Sequence, residues 1–383
     1  MLVKLTMKNF RSFLEKTTID LKSTGYEILS DTNKTQEDIL KGALFVGGNA
    51  SGKTTVILAL RFLLELLVWQ TDLKLFVYKS LYADVKDRME LEYEFLINGS
   101  KIIYKIETDN MRILKETLIQ DSKPILSRIN KEAEYTDTEN KKIMIENIQD
   151  NQSVIRKVYF DTRFIDNNSL KSWYDFLINS VYIDQAEKIV ISGNTDKDNR
   201  NYFENKGIEE VNKFFKQIDY KQKADYVTGY KNANMKFDFH NGKNIILIRE
   251  DMKTALPIKM ESEGNQTLMQ VLPQILQATQ NNCMLIIDEF SSAFHNFLEE
   301  KLVKYFMQNS KESQIFIVSH STNLLTNTIL RPDQIYTVDY IQGKGSKINR
   351  VSDSKPREAQ NLEKMYLSGV FNGIPNIKWK DKI

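Results

Sequence analysis

A glycine-rich loop that ends in a lysine and a threonine is the segment of this sequence best suited to phosphate chemistry. Residues 47–54 read GGNASGKT and fit the pattern G-x-x-x-x-G-K-[ST]. Backbone N–H groups of such a loop turn towards an anion, the lysine reaches the β- and γ-phosphates of a nucleotide, and the threonine hydroxyl binds Mg²⁺. The alternative is a chance turn before a helix. We expect the cradle to consist of Gly48, Asn49, Ala50, Ser51, Gly52, Lys53, Thr54 and Thr55.

Two adjacent acids follow an apolar run further along the chain. Residues 284–289 read MLIIDE, which is typical of a buried strand that delivers carboxylates to its C-terminal end. Asp288 is expected to bind Mg²⁺, and Glu289 is expected to polarise the water that attacks the γ-phosphate. Taken alone, such a pair more often marks the surface end of a strand, so its significance depends on the other segments.

A segment of small and polar residues precedes the acidic strand by one predicted helix. Residues 261–266 read ESEGNQ, and apolar residues at helical spacing follow over residues 267–280. Small, flexible residues at the start of a helix can form an anion site. The alternative is that Ser262 or Asn265 is simply the N-cap of that helix.

The order of these segments resembles that of ABC-type ATPases. An apolar strand over residues 315–318 ends in Ser319 and His320, and this histidine resembles the switch histidine that senses the γ-phosphate in that family. The chain resembles the SMC-like and RecF-like branch, and more closely stand-alone prokaryotic AAA-family ATPases related to OLD and AbiL-type abortive-infection ATPases. The family signature S-x-G-x-Q is matched by Ser262, Gly264 and Gln266, whereas Asn265 stands where glycine or threonine is usual.

The two ends of the sequence carry the same resemblance. Residues 9–13 read NFRSF and are similar to the family segment N-F-[KR]-S-[FH], whose basic residue and its neighbour, here Arg11 and Ser12, lie beside the nucleotide. Residues 366–369 and 373–375 are similar to the closing segment of such proteins. The glutamine of the family's Q-loop is not identified from the sequence.

The resemblance implies a fold, a reaction and an assembly. The fold class is α/β, an ABC-ATPase head of the P-loop NTPase type with a mixed sheet, an antiparallel β meander and a mainly helical insertion. The reaction would be hydrolysis of ATP with Mg²⁺, with Lys53, Glu289 and His320 as catalytic residues and Thr54 and Asp288 on the metal. In the family, the signature loop of one subunit closes over ATP held by another, as in a homodimer or larger homo-oligomer. The residues that would reach across are Ser262, Gly264, Asn265 and Gln266.

Hydrophobic periodicity indicates the elements that position these segments. Alternation over residues 1–22 predicts paired strands, and residues 91–119 predict an antiparallel meander. The apolar residues of 123–230 recur at helical spacing, which predicts a mainly helical insertion. The apolar positions used for that insertion are Ile143, Ile145, Ile148, Val211, Phe214, Phe215 and Ile218. A polar loop is expected at 193–205, and further strands are expected at 235–239, 245–249 and 334–340. The predicted domains are the two parts of the ATPase head, 1–122 and 231–383, and the insertion, 123–230.

Composition excludes several classes of protein. With 41% hydrophobic and 27% charged residues among 383, the chain is globular rather than disordered. Its 53 basic and 51 acidic residues give a net charge of +2, which neither implies nor excludes nucleic acid. One cysteine cannot form an internal disulfide, and with three histidines no zinc cluster can be drawn, which favours a reducing, cytoplasmic location. Charges interrupt the apolar window at residues 56–69, so no membrane span is expected.

Three functions are compatible with the sequence. The leading hypothesis is an ATPase whose self-association changes with nucleotide and which controls a separately encoded toxin or nuclease in antiphage, abortive-infection defence. The segment 123–230 would be the docking or sensing surface. The second hypothesis is a RecF-like repair or recombination ATPase that binds DNA, for which a basic strip is expected. The third is a nucleotide sensor with little turnover, suggested by Asn265 and the unidentified Q-loop.

Overall fold

The structure is a computed structural model that describes residues 1–69, 73–84, 86–193, 202–203, 207–228, 243–249, 251, 256–292 and 294–374. The helices of these residues are α1 (Ser30–Asn33), α2 (Lys53–Leu67), α3 (Val154–Thr162), α4 (Asn168–Ile178), α5 (Ile208–Gln217), α6 (Glu263–Gln280), α7 (Asn296–Asn309) and α8 (Leu362–Leu367). The strands are β1 (Leu2–Lys8), β2 (Thr17–Asp20), β3 (Gly42–Gly47), β4 (Met89–Ile97), β5 (Ser100–Thr108), β6 (Ile113–Gln120), β7 (Lys123–Ile129), β8 (Glu132–Thr136), β9 (Lys142–Ile145), β10 (Val181–Asp184), β11 (Ile189–Ser192), β12 (Gln222–Thr228), β13 (Lys243–Arg249), β14 (Leu256–Pro257), β15 (Met284–Asp288), β16 (Gln314–Val318), β17 (Ile335–Ile341) and β18 (Gly345–Arg350).

A seven-stranded sheet carries the predicted apolar strands. Its order is β11-β10-β15-β16-β3-β17-β18, in which the strands from β10 to β17 run parallel and the two edge strands are antiparallel. Strands β3, β15 and β16 are buried along their whole length, as expected for parallel strands covered on both faces. Because parallel strands end at the same edge, the glycine loop, the acidic pair and His320 meet at one edge of this sheet.

An eight-stranded antiparallel sheet forms a second layer, in the order β2-β1-β4-β5-β6-β7-β8-β9. Strands β4 and β5 alternate between buried and more exposed residues, which confirms the predicted meander. Helix α2 shares one hydrophobic core with residues of both sheets, and nearly all of its side chains are buried. The Tyr93 hydroxyl of β4 donates to the Ala59 carbonyl of α2 at 2.6 Å. The apolar window at residues 56–69 is therefore the sequence of a helix enclosed by the fold.

A second core covers the other face of the parallel sheet. Helices α5, α6 and α7 pack there together with residues of the small sheet β12-β13-β14. Val211, Phe214 and Phe215 are buried in α5, as their helical spacing predicts. In the part of the chain that the structure describes, every helix is too short or too polar to traverse a lipid bilayer.

The structure corrects the first part of the predicted helical insertion. Residues 123–145 form β7, β8 and β9, which extend the meander, so Ile143 and Ile145 lie in an edge strand and Ile148 follows it. Three of the four residues of β9 are apolar, and its side chains are exposed or only half-buried on both faces, so the strand lacks the alternation of apolar and polar residues on which a strand prediction depends. The remainder of the segment contains helices α3, α4 and α5 but also strands β10, β11 and β12, so the prediction of a mainly helical insertion was wrong there as well. Strands β10 and β11 belong to the parallel sheet.

Other predicted elements are present with small shifts. Strand β13 contains the predicted strand at 245–249, and β17 begins one residue after the predicted start of the strand at 334–340. The predicted strand at 235–239 and most of the predicted loop at 193–205 lie outside the described residues.

Candidate functional site

The glycine loop connects β3 to α2 in the conformation that a phosphate cradle requires. Gly52, the N-cap of α2, has a φ of +108°, a region that residues with a side chain rarely adopt. A Cβ atom at this position would lie 2.3 Å from Ser346 Oγ and 2.9 Å from Ser12 Oγ. The loop is thus enclosed by two other segments of the chain, and only glycine fits its tightest point.

Lys53, the first residue of α2, is buried and points back into the loop. Its ammonium group donates to the carbonyl oxygens of Gly47 at 3.0 Å and Gly48 at 2.8 Å. Burial lowers the pKa of Lys53, and the carboxylates of Glu289 and Asp288 oppose that shift. The lysine is therefore held at the mouth of the cradle with negative groups facing it.

Asp288, at the end of β15, lies opposite the first turn of α2. Its Oδ1 accepts from the Thr54 hydroxyl at 3.3 Å, which brings the two predicted metal ligands together. Burial, reinforced by the carboxylates of Asp184 and Glu289, raises the pKa of Asp288 to about 6. A nearby cation would favour the ionised form and reverse this shift.

Glu289 and His320 are in contact although 31 positions separate them. Glu289 Oε1 lies 3.2 Å from His320 Nε2, and both side chains line the same cavity as Lys53. Glu289 has a φ of +55°, a strained conformation for a residue with a side chain. The backbone N–H of His320 donates to Ser291 Oγ at 3.2 Å. Because of the sharp turn after β15, the two adjacent carboxylates point in different directions: Asp288 contacts Thr54, and Glu289 contacts His320.

The cavity formed by these residues has a volume of about 570 Å³. Arg11 and Ser12 line it, as predicted, and Ser12 Oγ donates to Thr55 Oγ1 at 3.3 Å. The residues that line it are Arg11, Ser12, Asn49, Ala50, Ser51, Gly52, Lys53, Thr54, Thr55, Val77, Lys79, Leu81, Tyr82, Glu289 and His320. Sequence reasoning missed the contribution of residues 77–82, which no phosphate-binding pattern marks.

Gln185 was also missed from the sequence. It follows β10, which pairs in parallel with β15 so that Asp184 lies opposite Asp288. The Gln185 N–H donates to the Asp288 carbonyl at 3.3 Å, and its buried Nε2 has no hydrogen-bond partner in the part of the chain that the structure describes. The short apolar run over residues 181–183 before an acid was the available signal, because it repeats the pattern of β15.

The predicted signature residues of the same chain do not line this cavity. Ser262 is exposed and is the N-cap of α6, accepting from the Asn265 N–H at 3.4 Å, so the N-cap interpretation is confirmed. Asn265 is buried, and its amide donates to Glu261 Oε2 at 2.8 Å while its Oδ1 accepts from the Tyr220 hydroxyl at 2.8 Å. Gln266 Nε2 donates to the Glu261 carbonyl at 2.8 Å, and Gly264 is half-buried.

A buried carboxyl group lies beside the segment that carries His320. Glu299 of α7 is fully buried, and burial raises its pKa from 4.5 to about 7, while the side chains of Asn323 and Ser321 oppose the rise. A raised pKa means that the folded protein binds the proton more tightly than the unfolded chain. The free energy of unfolding therefore falls as the pH rises through the interval between 4.5 and about 7.

Glu299→Gln should remove that pH dependence. We expect the variant to be more stable than the natural chain by about 1–3 kcal/mol at pH 8, where the buried carboxylate is ionised, and to differ little at pH 5. Urea unfolding at the two pH values measures the effect. An equal change at both values would mean that the buried group does not titrate.

The site has features that suit a triphosphate and Mg²⁺. Ser51 Oγ is buried, and no group of the described residues hydrogen bonds to it, so the loop has an unsatisfied polar atom for a ligand. The residues that the structure describes form no cluster of three or more His, Cys, Asp or Glu able to hold a metal alone. Mg²⁺ is normally held by one or two carboxylates together with substrate phosphates, and Thr54 with Asp288 matches that requirement.

Comparison with known proteins agrees with this geometry. Residues 43–326, well over half of the chain, match a family described as "AAA domain, putative AbiEii toxin, Type IV TA system". No curated protein matches the sequence. An SMC head bound to the C-winged helix domain of ScpA is similar in fold, with a TM-score of 0.50 and 16% identity over 91% of this chain and 96% of that one.

Two other solved structures are similar over the same 91% of this chain, each with a TM-score of 0.49 and 13% identity. They are the SMC head domain of Thermotoga maritima, covered over 97%, and an Smc head with an extended coiled coil bound to the C-terminal domain of ScpA from Pyrococcus furiosus, covered over 95%. The family match shows that the chain belongs to this AAA-domain family, and its fold is similar to that of SMC heads.

Proposed function

We propose that this protein binds and hydrolyses ATP and that the nucleotide controls its self-association. The observation that carries the proposal is the convergence of Lys53, Glu289 and His320 on one cavity, with Asp288 bonded to Thr54 behind it. These residues come from three strand ends that are neighbours in the sheet. A chance turn before a helix would not bring the other two segments to the same place.

Each group has a role that its position supports. Lys53 would bind the β- and γ-phosphates, and Thr54 with Asp288 would hold Mg²⁺, which neutralises phosphate charge when bound. Glu289 would accept a proton from the attacking water. His320, in contact with that carboxylate, would donate to an oxygen of the γ-phosphate as negative charge develops there. Gln185 lies beside Asp288, and its side-chain Nε2 has no hydrogen-bond partner among the described residues, so it would supply the Q-loop contact to the metal or the water.

The arrangement supports a composite site between two copies. Ser262 is exposed at the start of a helix, and neither it nor the rest of the signature lines the cavity of its own chain. A two-fold dimer would place this helix end over the triphosphate of the partner, where its N–H groups favour an anion. Loss of the γ-phosphate on hydrolysis would remove those contacts and release the dimer.

We further propose that the switch controls a separately encoded toxin or nuclease in antiphage defence in the cytoplasm. The family description, which names a toxin and a toxin–antitoxin system, supports this context. One similar SMC head was solved with a domain of a second protein, ScpA, and we propose by analogy that a partner docks on this chain too. Within residues 123–230, strands β10 and β11 belong to the parallel sheet of the head, so we propose the rest of this segment as the docking unit.

The proposal is tested by phage challenge of cells that express this chain with its neighbouring reading frame. We expect protection with the natural chain and none with Lys53→Ala, which leaves the fold but removes the phosphate contact. Filter binding of duplex DNA by the purified chain with ATP, at two salt concentrations, forms the second arm. Tight, salt-dependent DNA binding without protection would favour the RecF-like alternative.

A further inference from the structure

A segment far from the glycine loop in sequence is bonded directly to it. Residues 366–374, here called the strap, run from the last turn of α8 along β17. Phe371 is 3% exposed, and its carbonyl accepts from the buried Thr337 hydroxyl of β17 at 2.6 Å. Strand β17 pairs with β3, with Val338 opposite Gly47. The strap is therefore bonded to β17, the neighbour of the strand that enters the loop.

The contact with the loop is made by one carbonyl group. The Gly373 carbonyl accepts from the Gly48 N–H at 3.0 Å and from the Tyr366 hydroxyl at 3.2 Å. The Gly48 N–H and the Gly47 carbonyl belong to the same peptide unit, and that carbonyl accepts from the Lys53 ammonium group at 3.0 Å. Because a trans peptide is planar, holding its N–H on one side also directs its carbonyl on the other.

We propose that the strap positions Lys53 for nucleotide binding by holding the Gly47–Gly48 peptide through the Gly373 carbonyl. Gly373, Tyr366 and Thr337 are positioning residues in this inference, since they line no part of the cavity. The inference deepens the proposed function and rests on it for its effect on ATP. The hydrogen bonds to the Gly373 carbonyl lie within the chain itself, so they can be tested without nucleotide.

The strap contains two glycines that form a matched pair for the test. Gly373 has a φ of +78°, and a Cβ atom there would lie 3.0 Å from Thr337 Cβ and 3.4 Å from the Val338 carbonyl oxygen. Gly369 has a φ of +83°, but no atom lies within 4 Å of its Cβ position. Alanine would strain the backbone equally at both positions. Only at Gly373 would it also push the strap away from β17 and the loop.

The experiment compares Gly373→Ala with Gly369→Ala. We expect Gly373→Ala to weaken binding of Mg·ATP by about 3- to 10-fold, the range for loss of one or two hydrogen bonds, and Gly369→Ala to stay within about twofold of the natural chain. Hydrogen exchange of peptides that span the loop, measured without nucleotide, should be faster in Gly373→Ala only. If Gly373→Ala does not fold, Tyr366→Phe replaces it in the test. This variant keeps the ring and removes one hydrogen-bond donor, and it should weaken binding of Mg·ATP by about twofold.

The outcomes separate this inference from the proposed function. Equal affinity for Mg·ATP and equal hydrogen exchange in the two glycine variants would overturn the proposed role of the strap. The proposal that the chain binds ATP would be unaffected. If the natural chain does not bind ATP, the proposed function fails, and the exchange measurement still decides whether the strap holds the loop. A purely stabilising role would lower the melting temperature of both variants with no difference in affinity between them.

Discussion

Glu289→Gln is expected to reduce the steady-state rate of ATP hydrolysis by about 10²- to 10⁴-fold and to leave ATP binding nearly unchanged. Glutamine keeps the shape of the side chain and its contact with His320, but it cannot accept a proton from water. The triphosphate would then stay intact, and the closed dimer would accumulate with Mg·ATP. Phosphate release measures the first effect, and sedimentation velocity with and without ATP measures the second.

The control for this substitution is Glu132→Gln, which removes an exposed carboxylate of β8 that does not line the cavity. It should hydrolyse ATP at the rate of the natural chain. Hydrolysis by Glu289→Gln at the natural rate would assign activation of water to another group. If ATP does not change the oligomeric state of the variant, the proposed control of self-association by nucleotide is wrong. Slow hydrolysis by the natural chain itself would favour the nucleotide-sensor alternative.

Lys53→Ala and Ser262→Arg should each abolish hydrolysis alone but recover activity when mixed. Lys53→Ala destroys the phosphate cradle, and Ser262→Arg places a bulky cation where the signature would meet the partner's nucleotide. In a mixed dimer both defects fall in one site, which leaves the other site intact. Roughly a quarter of the natural rate is expected from an equal mixture, because half of the dimers are mixed and each has one intact site of two. Phosphate release of the separate and mixed proteins decides the result.

Ser127→Arg is the matched control, because it places the same side chain at an exposed position of β7. It should hydrolyse ATP when measured alone. Its mixture with Lys53→Ala should be no more active than the Ser127→Arg protein in the mixture would be by itself. If the mixture of Lys53→Ala and Ser262→Arg is as inactive as its parts, the signature does not act across an interface. If Ser262→Arg is active alone, the exposed N-cap of α6 is only the start of a helix.

The catalytic segments were predictable because each is local. A phosphate cradle needs consecutive backbone N–H groups followed by a helix, so residues 47–54 carry their function in an uninterrupted pattern. The strand that ends in Asp288 and Glu289 is equally local, since burial on both faces demands a continuous apolar run. The resemblance carried by the order of these segments implied the fold class. The contact between Glu289 and His320 was implied by that order but is visible only in the folded chain.

The peripheral strands were not predictable in the same way. Strand β9 lies at the edge of the antiparallel sheet, and its exposed residues obey no simple alternation. Whether such a segment pairs with the strand before it depends on the tertiary surroundings rather than on its own composition. The helical prediction for residues 123–145 was wrong for this reason, whereas α5, with one face in the core, was predicted correctly.

The amino-acid sequence by itself determined the phosphate loop, the acidic strand end and the histidine, because each pattern is contiguous and chemically restricted. Only the tertiary structure decided which distant groups surround them: Gln185 beside Asp288, Ser346 against Gly52, and Gly373 on the Gly48 N–H. These contacts join positions about a hundred or more residues apart through single backbone or hydroxyl groups. Backbone amides and carbonyls occur at nearly every position, so no pattern of side chains marks the few that a fold brings to the site.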